Sequence, residues 1–176
     1  MIGLILCAGL GTRLYPLTKD RPKCMVEVAG KPVLEHIADH MNKHGVWTIV
    51  VNLHAFPETV MKYFGQRFLY LYEPQPMGEF ATINLVRAHW RFKEMVVMNG
   101  DTLTDLDFTQ VPLNSRCYSL LTGRHMGTTV FGSGAHAYKR FDVSCRYFDI
   151  GTPEKLKIAR EHYANLLPEV SLGRPH

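Results

Sequence analysis

The sequence predicts an α/β domain of three layers on a largely parallel sheet, and three observations predict it. Short apolar runs alternate with amphipathic stretches through the first hundred residues, as strand–helix units do. The first apolar run leads straight into a glycine turn, as at the carboxyl edge of such a sheet. A chain of 176 residues can bury roughly 70% of its unfolded surface, so it fits one domain that needs no disulfide.

Ile2 to Leu6 reads as a short buried strand, with Cys7 buried just beyond it. A helix is expected near Val33 to His44, closed by Gly45 as its C-terminal cap, and a strand follows at Thr48 to Asn52. Pro57 and Glu58 begin a helix running to Phe64. Next come a short strand at Phe68 to Tyr72, a helix near Glu79 to Trp90 and a strand at Met95 to Met98. After Phe108, Pro112, Asn114 and Ser115 suggest a loop, and Tyr118 to Thr122 and Thr128 to Phe131 are β-like pieces. Gly127, Gly132 and Gly134 are read as turns. Leu156, Ile158, Ala159, Tyr163 and Leu166 suit a closing helix, with Thr152 as N-cap and Pro153 in its first position.

Twenty basic and 16 acidic side chains leave a net charge of +4, an excess that phosphate ligands suffice to explain. No run of five lysines and arginines occurs, which speaks against nucleic acid as a partner. Cys7, Cys24, Cys117 and Cys145 lack the paired spacing of a structural zinc site and are read as reduced thiols of a cytoplasmic protein. No basic leader and no membrane span are expected. His36, His40 and His44 recur at steps of four beside Glu35 and Asp39, and are read as a partly exposed helix face rather than a metal site.

The chemistry concentrates in Leu6-Cys7-Ala8-Gly9-Leu10-Gly11-Thr12-Arg13-Leu14, followed by Pro16-Leu17-Thr18 and Arg21-Pro22-Lys23. Glycines free the backbone to turn and to bring successive N–H groups against an anion, and Arg13 and Lys23 add two spaced cations. That arrangement suits a nucleoside triphosphate. The run is no P-loop, because nothing matches a glycine, four residues and then Gly-Lys-Ser/Thr. A dinucleotide fingerprint would want a small residue where Leu14 stands.

These residues resemble the signature of the sugar-phosphate nucleotidyltransferases, also called nucleoside-diphosphate-sugar pyrophosphorylases. The likeness continues through Gly30-Lys31-Pro32-Val33-Leu34, Glu73-Pro74-Gln75-Pro76-Met77-Gly78 and Asn99-Gly100-Asp101-Thr102, and resumes at Tyr147-Phe148-Asp149-Ile150-Gly151-Thr152-Pro153-Glu154. It implies a Rossmann-like fold with a mostly parallel mixed sheet. Residues 1–108 would form the nucleotide-binding half, 109–146 a shortened acceptor region, and 147–176 a metal motif with the closing helix. It also implies a Mg²⁺-dependent reaction between a nucleoside triphosphate and a sugar 1-phosphate, giving a nucleotide sugar and pyrophosphate.

On this reading Leu6, Ala8, Gly9, Gly11, Thr12, Arg13, Glu73 and Gly78 bind the nucleotide, and Arg13, Lys23 and Asp101 are catalytic. Asp101 and Asp149 would hold Mg²⁺, which takes one or two protein carboxylates besides phosphates and water. The bland alternatives are that Asp101 starts a turn and that Asp149 caps its strand. Glu73 occupies the base-reading position, and a carboxylate there can accept from guanine N1–H and N2–H₂ together, which favours GTP. Glu79 departs from the threonine common after this glycine.

The resemblance breaks between Asp101 and Asp149, a span of 48 residues that is short for the family. The usual Glu-Lys-Pro and Asn-Ala-Gly segments are missing, leaving Thr122-Gly123-Arg124-His125 and Gly132-Ser133-Gly134 as candidates for the acceptor pocket, with Arg124 as a phosphate ligand. Three arrangements follow: a compact enzyme, one completed by a partner or a second copy, or a module that binds nucleotide without turnover. A fourth keeps the chemistry with a small non-sugar phosphate as acceptor.

Overall fold

The computed structural model describes residues 1–90, 92–120, 122, 124–132 and 139–163. Its strands are β1 (Ile2–Leu6), β2 (Glu27–Val28), β3 (Lys31–Pro32), β4 (Ile49–Leu53), β5 (Leu69–Tyr72), β6 (Glu94–Asn99), β7 (Thr102–Thr104), β8 (Ser115–Ser119), β9 (His125–Gly132), β10 (Lys139–Val143) and β11 (Tyr147–Asp149). The helices are α1 (Val33–Lys43), α2 (Pro57–Phe64), α3 (Glu79–His89) and α4 (Pro153–His162).

Seven strands form the central sheet in the order β10-β8-β9-β6-β1-β4-β5. β1 is parallel to β4 and to β6, β4 to β5 and β8 to β10, whereas β9 runs antiparallel to both β6 and β8. The sheet is therefore mixed and mostly parallel, as expected. Alternate residues of a strand face opposite ways, and the two faces sort accordingly. Ile2 and Leu4 pack with Val50, Met95, Val97 and the α3 residues Ile83 and Val86. Ile5 faces the larger core on the other side, with Leu34, Ile37 and Met41 of α1, Val60 and Phe64 of α2, and Leu156 and Ala159 of α4. Helix–sheet–helix layering thus follows from the apolar runs themselves. Leu6 of β1 is in register with both Asn52 and Asn99, so three strand ends form one polar edge.

Outside the central sheet, β2 pairs with β3 and β7 with β11, both antiparallel. The β7–β11 pair sets Asp149 opposite Thr102, and Ile150 N–H donates to the Asp101 carbonyl at 2.9 Å. That ladder closes the 48-residue excursion.

Several local expectations need correction. Ser115 begins β8 instead of lying in a loop, and Gly127 and Gly132 lie within β9; Gly134 and Leu166 are outside the described residues. Gly127 keeps a positive φ of 70°, which reflects close approach within a strand: a Cβ there would come within 3.0–3.1 Å of Thr102 Oγ1 and of Asn99. Ile158 in α4 is exposed. Of the three histidines only His36 is buried; His40 and His44 are partly exposed, as expected. His36 is 5% exposed, its Nε2 2.7 Å from the Val28 carbonyl, and His40 Nε2 lies 2.8 Å from that of Leu106. His44 pairs with Asp107 at 3.6 Å and packs its ring on Phe108. Loops distant in sequence fold over that helix face and supply its hydrogen-bond partners.

Candidate active site

The edge where β1, β4 and β6 end opens into two cavities that share Arg13, Asn99 and Asp101. The first holds about 450 Å³ and is walled by Leu6 through Arg13, with Lys23, Pro76, Gly100 and Gly151. Among the described residues no group accepts from the N–H groups of Gly9, Leu10, Gly11 and Thr12, so this turn presents unpaired donors, the property an anion cradle needs. Its two glycines do different things. Gly11 has φ +65°, and a Cβ there would come 3.1 Å from Lys23 Cβ. Gly9, contrary to the expectation that both glycines bend the chain, has no positive φ; a Cβ on it would meet nothing within 4 Å, which leaves space for a ligand.

A further pocket of about 240 Å³ continues this cavity over Leu6, Ala8 and Gly9 towards Asn52, Glu73, Gly78 and Thr82. Glu73 is 1% exposed and fully engaged on one side. Its Oε1 accepts from Asn52 Nδ2 at 2.9 Å and from Thr82 Oγ1 at 2.5 Å, and Oε2 accepts from Met77 N–H at 2.9 Å. Each carboxylate oxygen has two lone pairs, so Glu73 can accept one more bond. Two-point reading of guanine by this carboxylate is therefore not available in this arrangement. Asn52 in turn accepts from Cys7 N–H at 2.6 Å, which ties the start of the glycine turn to the same network. Gly78, at φ +85°, caps α3 and receives both the N–H and the hydroxyl of Thr82 on its carbonyl. Glu79 is held by Arg116 of β8 through bonds of 2.9 and 3.0 Å, so the unusual residue ties α3 to the sheet.

All four cysteines are free. Burial, and after it the adjacent Cys24 thiol, pushes the Cys7 thiol well above its usual range, so Cys7 remains a protonated packing residue below the turn.

The second cavity, about 420 Å³, lies on the β9–β11–α4 side. Tyr147, Phe148, Met126 and Ile158 give it an apolar wall, and Arg13, Arg124 and Lys155 line it with cations. His125 also lines it, and burial, with the charge of Arg116, pushes its imidazole down to about 4, so this ring is neutral near pH 7. Gly123, Ser133 and Gly134 lie outside the described residues.

Each aspartate pairs with a lysine. Lys23, 13% exposed, donates to Asp101 Oδ2, and Lys155 donates to Asp149 Oδ2 at 2.5 Å. Asp149 Oδ1 also accepts from Gly151 N–H at 2.6 Å, so the turn-capping role holds alongside any other. Burial works to raise the Asp149 carboxyl, but the bonds from Lys155 and Gly151, with the nearby charges, hold it below the usual carboxylate range. Among the described residues no three acidic, histidine or cysteine side chains cluster as a metal cage. The donor set is two hard carboxylates lining one cavity, which fits a small divalent cation that draws its other ligands from phosphate and water.

The residues assigned to nucleotide, metal and acceptor phosphate thus border these connected cavities, whereas Gly132 of the acceptor candidates does not; Asn99 gains weight from its position, and Lys155 and Asn52 join the site. Asn99 touches all three cavities, Lys155 sits beside Asp149, and Asn52 holds the buried frame. The sequence did carry a signal for Asn52: an asparagine inside the apolar run Ile49-Val50-Val51-Asn52-Leu53 requires a buried partner.

Residues 2–118 match the family model described as nucleotidyl transferase. The chain is 36% identical over 119 residues to the D-glycero-alpha-D-manno-heptose 1-phosphate guanylyltransferase of Campylobacter jejuni, which covers 65% of this chain and 53% of that protein. It is 52% identical over 59 residues to the N-acetylmuramate alpha-1-phosphate uridylyltransferase of Caulobacter vibrioides, covering 34% of this chain and 24% of that one. It spans about half or less of the length of these curated relatives. Among solved structures, the UDP-glucose pyrophosphorylase of Acinetobacter baumanii superposes with a TM-score of 0.80 at 15% identity, over 96% of this chain and 95% of the other. HddC from Yersinia pseudotuberculosis gives 0.75 at 20% identity, over 93% and 100%. Those two likenesses concern the fold. The family match extends over most of the chain and includes the glycine turn, Lys23, Glu73, Gly78 and Asp101, and on that ground the chain belongs to the nucleotidyl transferase family.

Proposed function

We propose that the protein transfers a nucleotidyl group from a nucleoside triphosphate to a sugar 1-phosphate, releasing pyrophosphate. The observation that carries this reading is the meeting of the two cavities at Arg13, Asn99 and Asp101: one is built from unpaired backbone donors, the other from cations and an apolar wall. Triphosphate in the first and sugar phosphate in the second would bring the reacting atoms together at the shared residues. An oxygen of the sugar phosphate forms a bond to the α-phosphorus, while the bond from that phosphorus to the β-bridging oxygen breaks. The departing electron pair leaves with pyrophosphate. Such transfers depend on positioning and charge stabilisation, with no protein nucleophile required.

The residues divide the work. The Gly9–Thr12 donors cradle the phosphate chain, and the planar fork of Arg13 takes the leaving β- and γ-phosphates. Lys23 neutralises the α-phosphate as charge builds. Asp101 and Asp149 would hold Mg²⁺, which when bound supplies electrostatic stabilisation of the phosphates. For the base we favour guanine. The guanylyltransferases among the curated relatives carry this preference, since the one acceptor site left on Glu73 Oε2 takes an N–H of guanine and the N3–H of uracil alike.

The test is pyrophosphate release from the purified protein with Mg²⁺, each of GTP, UTP, dTTP, CTP and ATP in turn, and a set of hexose and heptose 1-phosphates. Release with GTP, lost in Asp101→Asn, is expected. Triphosphate binding without release from any pair would replace this reading with a nucleotide-binding module.

A further inference from the structure

Resting on that reading, we propose that Lys155 binds the phosphate of the incoming sugar 1-phosphate, and that Asp149 holds this lysine in reserve until a divalent cation takes the carboxylate.

The argument begins with helix energetics. Thr152 caps α4 and accepts from Lys155 N–H at 3.4 Å, with Pro153 and Glu154 in the first two positions, so Lys155 is the third helical residue. A helix favours an acid there, because the N-terminal turn carries positive partial charge and a glutamate or glutamine can bond back to the cap. A lysine at that position works against the helix. Its ammonium instead borders the 420 Å³ cavity and meets Asp149 Oδ2.

Charge placement supplies the second step. Lys23 borders the nucleotide cavity and not the second one, so a sugar phosphate there needs a cation of its own. Arg124, two residues after Thr122 on the strand-to-strand connection, is exposed, whereas Lys155, with a side chain 43% exposed, is rooted in a capped helix that packs Leu156 and Ala159 into the core. A cation on such a support loses little freedom when it takes up a phosphate.

The third step is the pairing itself. The Lys155–Asp149 pair is the counterpart, on the acceptor side, of Lys23–Asp101 on the nucleotide side. A divalent cation at Asp149 competes with the ammonium for the same oxygen, so occupation of the carboxylate frees Lys155 beside the cavity. Cation binding and sugar-phosphate binding are then linked through one side chain.

The linkage separates this role from a structural one. Titration calorimetry with Mn²⁺ alone, and then with α-D-mannose 1-phosphate in the presence of Mn²⁺, should show two opposite changes in Lys155→Met. Mn²⁺ binds at least threefold tighter, because its competitor is gone, and the sugar phosphate binds more than tenfold weaker, with GTP affinity within twofold of wild type. Lys155→Arg should hold sugar-phosphate affinity within about threefold. Circular dichroism of the variants confirms that each is folded. Unchanged sugar-phosphate affinity in Lys155→Met, against measurable wild-type binding, overturns the assignment of Lys155 alone. Unchanged or weaker Mn²⁺ binding overturns the reserve role. A wild-type protein that binds neither GTP nor sugar phosphate overturns the proposed function and this inference together.

Discussion

The two sides of the cleft are made of different material. On the nucleotide side the ligand-facing surface is mostly main chain, and the side chains beneath it form a buried polar frame running from Cys7 N–H through Asn52 to Glu73 and Thr82. On the acceptor side the surface is made of side chains: Arg124 on the connection before β9, and Lys155, His125 and an apolar wall carried by β9, β11 and α4. A frame of that kind couples recognition to stability, because the groups that shape the turn are also core hydrogen-bonding partners. Side chains projecting into a cavity leave the two separable. Substitutions within the frame should therefore damage folding and binding together, and substitutions of the acceptor-side cations should alter binding alone.

Lys23 provides the largest expected effect, because it sits at the boundary between the two regimes. It is rooted in a short turn, Lys23–Met25, and nearly buried, and on the proposed mechanism its ammonium would act on charge that develops only as the reaction proceeds. Removing one preorganised donor of this kind costs about 2.7–4 kcal/mol, or roughly 10²–10³ in kcat. Lys23→Ala should show that loss in pyrophosphate release, with GTP affinity reduced far less. A folded variant losing less than about tenfold removes Lys23 from the chemistry.

The frame is probed by Glu73→Leu. This substitution strands the buried Asn52 Nδ2 and the part-buried Met77 N–H and leaves the Thr82 hydroxyl only its bond to the Gly78 carbonyl, and each buried unpaired group costs about 1–3 kcal/mol, part of which relaxation recovers. A net destabilisation of about 3 kcal/mol is expected, read as a lower urea midpoint at constant m. Glu73→Gln keeps one acceptor and should lose about half as much. A loss below about 1 kcal/mol for Glu73→Leu would mean that the frame is dispensable, and the contrast between the two sides would fail.

The same contrast explains what could be read from the sequence. β1 and α2 were legible to the residue, since apolar runs bounded by glycine or proline encode them locally. The glycine turn and both aspartate motifs stand out because they are written in contiguous residues, and the fold sets them around connected cavities. The Glu73 carboxylate was legible only in position: how many bonds it can still accept depends on Asn52 and Thr82, 21 and 9 residues away. The acceptor half was least legible. β8 and β10 exist through pairing within the sheet, where β9 turns back antiparallel along β6, and Gly127 reads as a turn unless its approach to Asn99 is known. Lys155 is placed in the first turn by Thr152 and Pro153, but its pairing with Asp149 is visible only in the fold.

Two glycines offer a smaller test within the nucleotide side. Gly11→Ala forces an L-residue into the left-handed region, at roughly 1–2 kcal/mol, and sets its Cβ against Lys23 Cβ, so stability and kcat should fall together. Gly9→Ala meets open space at ordinary φ and should change stability by less than about 0.5 kcal/mol while weakening GTP binding. Equal destabilisation by the two substitutions, measured by urea unfolding, would show that they share one role.

The smallest effect lies on the acceptor side and concerns pH. His125 titrates at about 4 in the folded protein, held down by burial first and then by the Arg116 charge, against an ordinary value of 6.5. The unfolded chain therefore takes up this proton before the folded one. Stability should fall as pH drops from about 6.5 towards 4 and stop falling through this group below that point. Burial shifts His40 in the same direction, so the slope is shared, and the proton owed to His125 is isolated by comparison with His125→Gln. The glutamine can still donate to the Thr128 carbonyl that His125 Nε2 contacts at 3.3 Å. Urea midpoints at about pH 6.5, 5.5 and 5.0 should decline less steeply in His125→Gln than in wild type; above about pH 5 the carboxylates held low, Asp107 and Asp149, remain ionised and add nothing to the difference. Parallel slopes would mean that the ring is protonated in the folded state near pH 6, which would add a fourth cation to the acceptor cavity and weaken the assignment of its charge to Arg13, Arg124 and Lys155.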